Sequence, residues 1–181
     1  MTPYILITGQ PLSGKTTLAN NLLAAFNAAG TKTALVVWRK DQPAQEMCRI
    51  LQSFSGQDAL ILETAFRRDI KNLPLPVLFV SLMASPALQT ERLILRTSRH
   101  NIPTIREILT AGKSWRFPQR YTKLDILSYK TATVFNTATL KDDPLPRSIC
   151  HSVFQFASQQ IQGRRYPEPD FRNMPMPSGL G

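Results

Sequence analysis

Nowhere in the 181 residues do apolar side chains run for the roughly 20 positions that a bilayer crossing requires, so no membrane partner is expected. Cysteine is scarce. Cys48 and Cys150 alone cannot build a disulfide framework or a zinc cage, and both are expected to be reduced and buried in a cytoplasmic protein. The opening Met1-Thr2-Pro3-Tyr4 has no basic residue ahead of its short apolar stretch, which argues against a secretory signal. Of the two histidines, His100 reads as a solvated loop residue and His151 as a helix residue without chemical role. Acids are the other shortage: 12 Asp+Glu face 22 Lys+Arg, a net charge of +10. That excess favours a polyanionic partner such as nucleic acid. It is also uneven. Arg92, Arg96, Arg99, Arg106, Lys113, Arg116, Arg120, Lys123 and Lys130 are opposed only by Glu91, Glu107 and Asp125, a net +6 between residues 90 and 130.

What remains is globular. A hydrophobic fraction of 43% against 19% charged excludes wholesale disorder, and the length suits one domain. Tyr4 to Thr8 is a short apolar, β-branched run that stops at a glycine, the pattern of a buried parallel strand. Thr33–Trp38, Ala59–Leu62 (ended by Glu63-Thr64), Val77–Met83 and Thr131–Phe135 predict four more strands. Helical periodicity starts at Lys15, with Leu18, Leu22, Ala25, Phe26 and Ala29 on one face and Gly30 as its stop. Further helices are expected over Pro43–Phe54, Pro86 to about Arg99, Pro103 to about Ala111, and Pro144–Gln162. The last should turn Ile149, Val153, Phe156 or Ala157, and Ile161 inward. Strands alternating with helices imply an α/β fold with a five-stranded parallel sheet covered on both faces, here over residues 1–162. Residues 163–181 hold four prolines and two further glycines, Gly179 and Gly181, and are expected to be an irregular tail.

Gly9-Gln10-Pro11-Leu12-Ser13-Gly14-Lys15-Thr16 matches G-x-x-x-x-G-K-[ST] in full, between a strand and a helix. Glycines let the backbone wrap a phosphate with its N–H groups turned inward, and the helix N-terminus adds positive potential there. Lys15 is expected to reach the β- and γ-phosphates, Thr16 to ligate Mg²⁺, and Thr17 to touch the α-phosphate. ATP and Mg²⁺ are the expected cofactors. No Asn-Lys-x-Asp guanine-reading motif is present, and the length excludes a motor or helicase.

Arg92, Arg96 and Arg99 sit at i, i+4 and i+7 on one helical face, as the cations of a short arginine lid over residues 86–113 would. The alternative is a solvated basic face. Asp41, just past the second strand, can take a proton from an acceptor hydroxyl or cap the following helix. Glu63, at the carboxyl end of strand three, can hold Mg²⁺ through water or orient a cation. Arg67 and Arg68 can grip an acceptor phosphate or lie in a solvated loop. Asn136 follows strand five, where many such kinases contact adenine.

With these residues in view, the chain resembles the bacteriophage polynucleotide kinase domain over about residues 1–136. That family also reads G-x-P-x-S-G-K-[ST]. Trp38-Arg39-Lys40-Asp41 is similar to its Asn-Arg-Asp segment, Leu62-Glu63-Thr64 to its strand-end Asp-Thr, and Glu91-Arg92 through Arg96-Thr97-Ser98-Arg99 to its Lys-Arg-Asn-Ser-Lys-Arg lid. The resemblance implies Asp41 as general base, with Lys15 and the lid arginines stabilising the transferred phosphoryl. The chain departs from the family at Ala44, where an acceptor-binding arginine is expected, and at Glu63, where an aspartate is expected. Two relatives share features: the phage kinases that phosphorylate 5-hydroxymethyluracil in DNA, and adenylylsulfate kinase, whose opening is similar to Lys15-Thr16-Thr17-Leu18-Ala19-Asn20.

Lys113-Ser114-Trp115-Arg116-Phe117-Pro118-Gln119-Arg120-Tyr121 interleaves cations with rings, a mixture that nucleic-acid grooves use. Trp115 and Phe117 can equally be core anchors beneath a basic face. The expectation is an ATP-dependent kinase whose acceptor is a hydroxyl on DNA, with Arg39, Lys40, Arg67, Arg68, Lys113, Trp115, Arg116 and Arg120 as acceptor contacts. A small-molecule kinase and a nucleotide-dependent binding module without phosphotransfer are the alternatives. Oligomeric state is unassigned.

Overall fold

The computed structural model describes residues 2–65, 68–84, 87–90, 92–93, 132–136 and 147–163. Five strands form one parallel sheet in the order β2-β3-β1-β4-β5: β1 Tyr4–Gly9, β2 Thr33–Trp38, β3 Ala59–Thr64, β4 Leu78–Met83 and β5 Ala132–Asn136. The helices are α1 Lys15–Ala28, α2 Ala44–Ser53 and α3 Arg147–Gln162. A 3-10 turn spans Arg68–Asn72, and residues 87–90 and 92–93 are helical.

β1 is central, and all six of its residues are buried, as its unbroken apolar run requires. Alternation along the strands divides the core in two. Ile5, Ile7, Ile61, Leu78, Val80 and Leu82 face α1 and α3, meeting Leu18, Leu22, Phe26, Val153 and Phe154. The Phe26 and Phe154 rings lie 4.9 Å apart at a 48° tilt. Tyr4, Leu6, Val36, Trp38, Leu60, Leu62 and Phe79 face α2 and the 3-10 turn, meeting Met47, Leu51, Ile70 and Leu73. The expected α/β class, with helices on both faces of a parallel sheet, is therefore the class observed.

α1 stops as its glycine predicts. The Thr31 amide donates to the Phe26 carbonyl (2.9 Å) and the Gly30 amide to that of Asn27 (3.0 Å), with Gly30 left-handed at φ 79°. The Gln162 side chain of α3 donates to the Thr31 hydroxyl at 2.9 Å, tying the last helix to this cap.

The structure revises some expectations and settles two alternatives that the sequence left open. β3 runs on through Glu63 and Thr64, because Glu63 still pairs in register with Ile7 and Val37, and Thr64 with Trp38. Cys48 is half-buried rather than buried: α2 turns Ala44, Met47 and Leu51 inward and leaves Cys48 on its flank, its thiol toward the Asn72 carbonyl. Cys150 is buried as expected. On α3, Ala157 is the inward residue and Phe156 is 52% exposed, because the buried stripe runs Ile149, Cys150, Val153, Phe154, Ala157 and leaves Phe156 on the outer side. Asp41 caps nothing: Pro43 occupies the N-cap of α2, with no side-chain cap bond. The expected helix over 103–111 and the tail from 164 onward lie outside the described residues.

Gly9 has less room for a side chain than Gly30, Gly56 or Gly163. It adopts φ 139°, and a Cβ there would lie 2.1 Å from the Leu82 carbonyl oxygen of β4. Gly30 is also left-handed, but a Cβ there would meet nothing within 4 Å. Gly9→Ala is therefore expected to cost at least about 3 kcal/mol, and Gly30→Ala about 1 kcal/mol. Denaturant unfolding of both variants checks this, and equal losses would contradict it.

Candidate functional site

The strand order sets the site's location. From β1 the chain crosses to β2 beyond β3, and from β3 it crosses back to β4 on the far side of β1. A crevice therefore opens at the carboxyl ends of β1 and β3, where such sheets bind ligands. Gly9 to Thr16 lies at the end of β1, and Glu63 lies near the end of β3.

Left-handed backbone recurs along the loop, at Gly9 where it leaves β1 and again at Leu12 and Gly14. Gly14 takes φ 95° at the N-cap of α1, and Leu12 takes φ 59°. Left- and right-handed residues in succession turn backbone N–H groups toward one side, the geometry of an anion nest. Leu12 is the positive-φ residue without glycine's freedom among those described, which marks a position held by its surroundings. The loop is also stitched to β4, since the Gln10 amide donates to the Leu82 carbonyl at 3.1 Å.

Lys15, the first residue of α1, donates from Nζ to the Gln10 carbonyl at 2.6 Å. Burial pushes its ammonium down from 10.5 to about 8, with Glu63 opposing the shift. One residue on, Thr16 Oγ1 donates to Glu63 Oε1 at 2.6 Å. Glu63 is 7% exposed, and its second oxygen, Oε2, is buried without a hydrogen-bond partner. A carboxylate oxygen so placed beside a hydroxyl is a hard-oxygen donor set that fits a divalent cation such as Mg²⁺. Among the described residues, no group of three or more His, Cys, Asp or Glu is placed to hold a metal.

Arg92 also reaches the loop, donating from Nη1 to the Leu12 carbonyl at 2.6 Å. Sequence reasoning missed Gln89, one helical turn before Arg92. It is wholly buried and donates from Nε2 to Gln10 Oε1 and to the Ala84 carbonyl, both at 2.9 Å. The available signal was its spacing: Gln89 and Arg92 stand at i and i+3 on one helical face. A second missed pair is Thr8 and Ser81, in register on β1 and β4, whose buried hydroxyls have no partner. Each is a polar residue inside an otherwise apolar strand.

The structure thus brings together Gln10, Leu12, Lys15, Thr16, Glu63 and Arg92. Asp41, Arg39 and Lys40 are exposed in the turn between β2 and α2, which Gln42 braces by accepting from the Arg39 amide and from Trp38 Nε1. Arg68 opens the 3-10 turn. Asn136 ends β5 opposite Met83, at the same carboxyl edge. Arg67, Arg96, Arg99, Lys113, Trp115, Arg116 and Arg120 lie outside the described residues.

Lys15 generates a prediction with a fixed sign. Its ammonium titrates lower in the folded than in the unfolded chain, so the unfolded chain binds more protons between pH 8 and 10.5 and native stability rises across that window. Below it, Lys15→Met is expected to stabilise the ligand-free protein by on the order of 2 kcal/mol, the lost Gln10 contact included, and this advantage fades toward pH 10.5. Denaturant unfolding of both proteins at pH 7 and 9.5 checks it. A variant no more stable than the native chain at pH 7 would contradict it.

A family model for the chromatin associated protein KTI12 matches residues 2–53, which run from β1 through the phosphate loop to α2. No curated protein matches the chain. Among solved structures, an unliganded sugar kinase from Janibacter sp. HTCC2649 superposes with a TM-score of 0.51 at 16% identity, covering 88% of this chain and 94% of its own. Shikimate kinase from Acinetobacter baumannii, solved with shikimate, gives a TM-score of 0.48 at 14% identity, covering 87% and 93%. The fold of the chain is one that a sugar kinase also has.

Proposed function

We propose that the protein binds ATP with Mg²⁺ and transfers its γ-phosphoryl group to an acceptor hydroxyl. The observation that carries this reading is the cluster at the end of β1: a buried lysine of lowered pKa and a threonine hydroxyl on a half-satisfied glutamate, beneath a loop with three left-handed residues. Gly9 to Thr17 hold the phosphates. Thr16 and Glu63 would hold the Mg²⁺, which supplies charge neutralisation on the phosphates when bound.

Transfer requires few groups from the chain. The acceptor oxygen forms a bond to the γ-phosphorus as the bond from that phosphorus to the β–γ bridging oxygen breaks, and ADP leaves. Lys15 carries charge that develops on the phosphoryl oxygens. Asp41 takes the acceptor's proton; its carboxylate is exposed, unoccupied by capping, and on the turn that follows the outer strand β2. Arg92, Arg96 and Arg99 would complete the cationic shell, and Asn136, at the carboxyl end of β5, would contact the adenine.

Two acceptor classes have support. The net +6 between residues 90 and 130 and the Lys113–Tyr121 segment favour DNA, through a 5-hydroxymethyluracil base or a 5′-hydroxyl end. The fold shared with a sugar kinase favours a small hydroxylated acceptor. A third reading is a nucleotide-dependent binding module without phosphotransfer, in keeping with the match of residues 2–53 to a chromatin associated family.

Labelled γ-phosphate supplied with 5′-hydroxyl oligonucleotides, blocked duplexes with and without 5-hydroxymethyluracil, and a mixture of sugars and nucleosides separates these. Label on one acceptor class is the expected outcome, lost by about 10³-fold in Lys15→Met and by about 10²-fold in kcat in Asp41→Asn. A DNA acceptor further predicts affinity that falls steeply with salt. ADP formed without any phosphorylated product would overturn the transfer step.

A further inference from the structure

Gln10 has two duties in the loop. Its carbonyl accepts the Lys15 ammonium (2.6 Å), and its side-chain oxygen accepts both the Ala84 amide and Gln89 Nε2, each at 2.9 Å. Gln89 Nε2 is shared with the Ala84 carbonyl at 2.9 Å. Gln10 is 3% exposed and Gln89 0%. Two carboxamides and the backbone N–H and C=O of Ala84 therefore close a buried polar knot at the end of β4, next to the Leu82 carbonyl that fixes the Gln10 amide. The knot also pairs the buried Ala84 N–H and C=O, which apolar side chains of similar size would leave unsatisfied. Once built, it is costly to break, because each amide group would be left buried and unpaired.

One turn further along the same helical stretch, Arg92 holds the Leu12 carbonyl at 2.6 Å, where Leu12 adopts its left-handed backbone. The stretch thus grips the phosphate loop at both arms: at Gln10, which carries the lysine's acceptor, and at Leu12, the residue under backbone strain.

We propose that Gln89 is a positioning residue for polyphosphate binding: with Arg92 it clasps the phosphate loop through Gln10 and Leu12 and presets the loop, and with it Lys15, for the ligand. This rests on the reading of the loop as a polyphosphate site. Gln89 touches no ligand and acts only through Gln10. Preorganisation lowers the ordering cost of binding, so its loss appears in affinity while the fold persists.

Calorimetric binding of inorganic tripolyphosphate to the native protein, Gln89→Met, Gln10→Met and the double variant tests the proposal. Each is measured at a temperature where circular dichroism shows it folded. Gln89→Met is expected to weaken binding roughly tenfold, and the double variant to bind no more weakly than the weaker single variant, because both remove one coupled unit. A second measurement needs no variant: the Gln89 side-chain amide resonances of the native protein should move when tripolyphosphate binds. Binding unchanged within about twofold in a folded Gln89→Met, or Gln89 resonances that stay in place while the native protein binds, overturns the clasp and leaves the site reading intact. A native protein that binds no tripolyphosphate removes the site reading first.

Discussion

Burying the Lys15 ammonium at the carboxyl end of β1 costs free energy that the Gln10 carbonyl and the nearby Glu63 only partly offset, as its lowered pKa records. Much of the surrounding structure serves that placement. Gly9 has no side chain, so the loop can leave β1 against the Leu82 carbonyl of β4. Gly14 turns left-handed, so α1 begins with Lys15 at its first turn. β3 sits beside β1 with Glu63 in register with Ile7, which brings a carboxylate to the Thr16 hydroxyl. A cation so incompletely compensated is a stored attraction for anions, and a polyphosphate, the ligand proposed, would supply counter-charge.

The same features were unequally legible in the sequence. β1, the loop and α1 could be read because three signals coincide there: an apolar run, fixed glycine spacing and a helical stripe through Leu18, Leu22 and Phe26. The limits of β2 also stand as read, at Thr33 and Trp38. Glu63 was recognised as a strand-end residue, but its place inside β3 depends on pairing with both neighbours, which no local pattern encodes. Asp41 stayed open between a helix cap and a base because Asp-Gln-Pro precedes a helix; the cap position falls on Pro43, and Gln42 braces the turn. Phe156 and Ala157 differ by one position, about 100° around a helix, and only the packing of α3 on α1 decides between them. Gln89 was invisible because its partners, Gln10 and Ala84, come from separate parts of the chain.

Nucleotide and acceptor differ in how firmly the chain specifies them. The half proposed to bind phosphate is built from regular elements joined by short connections, which hold side chains in fixed places. The proposed acceptor contacts come from a turn and from a basic, aromatic-bearing stretch, positions where folds of this class vary most. A common α/β frame can therefore carry one phosphate chemistry to different hydroxyls, and the distribution of charge along residues 90–130 is this chain's own bias toward a polyanion.

Amide hydrogen exchange with and without ATP and Mg²⁺ tests the central claim most directly, because it locates the ligand on the backbone without assuming a product. The account predicts that protection is gained over residues 9–17 and at the carboxyl end of β3 around Glu63, with the amino ends of the strands unchanged. Protection that leaves residues 9–17 untouched, or no change at saturating nucleotide, would contradict it.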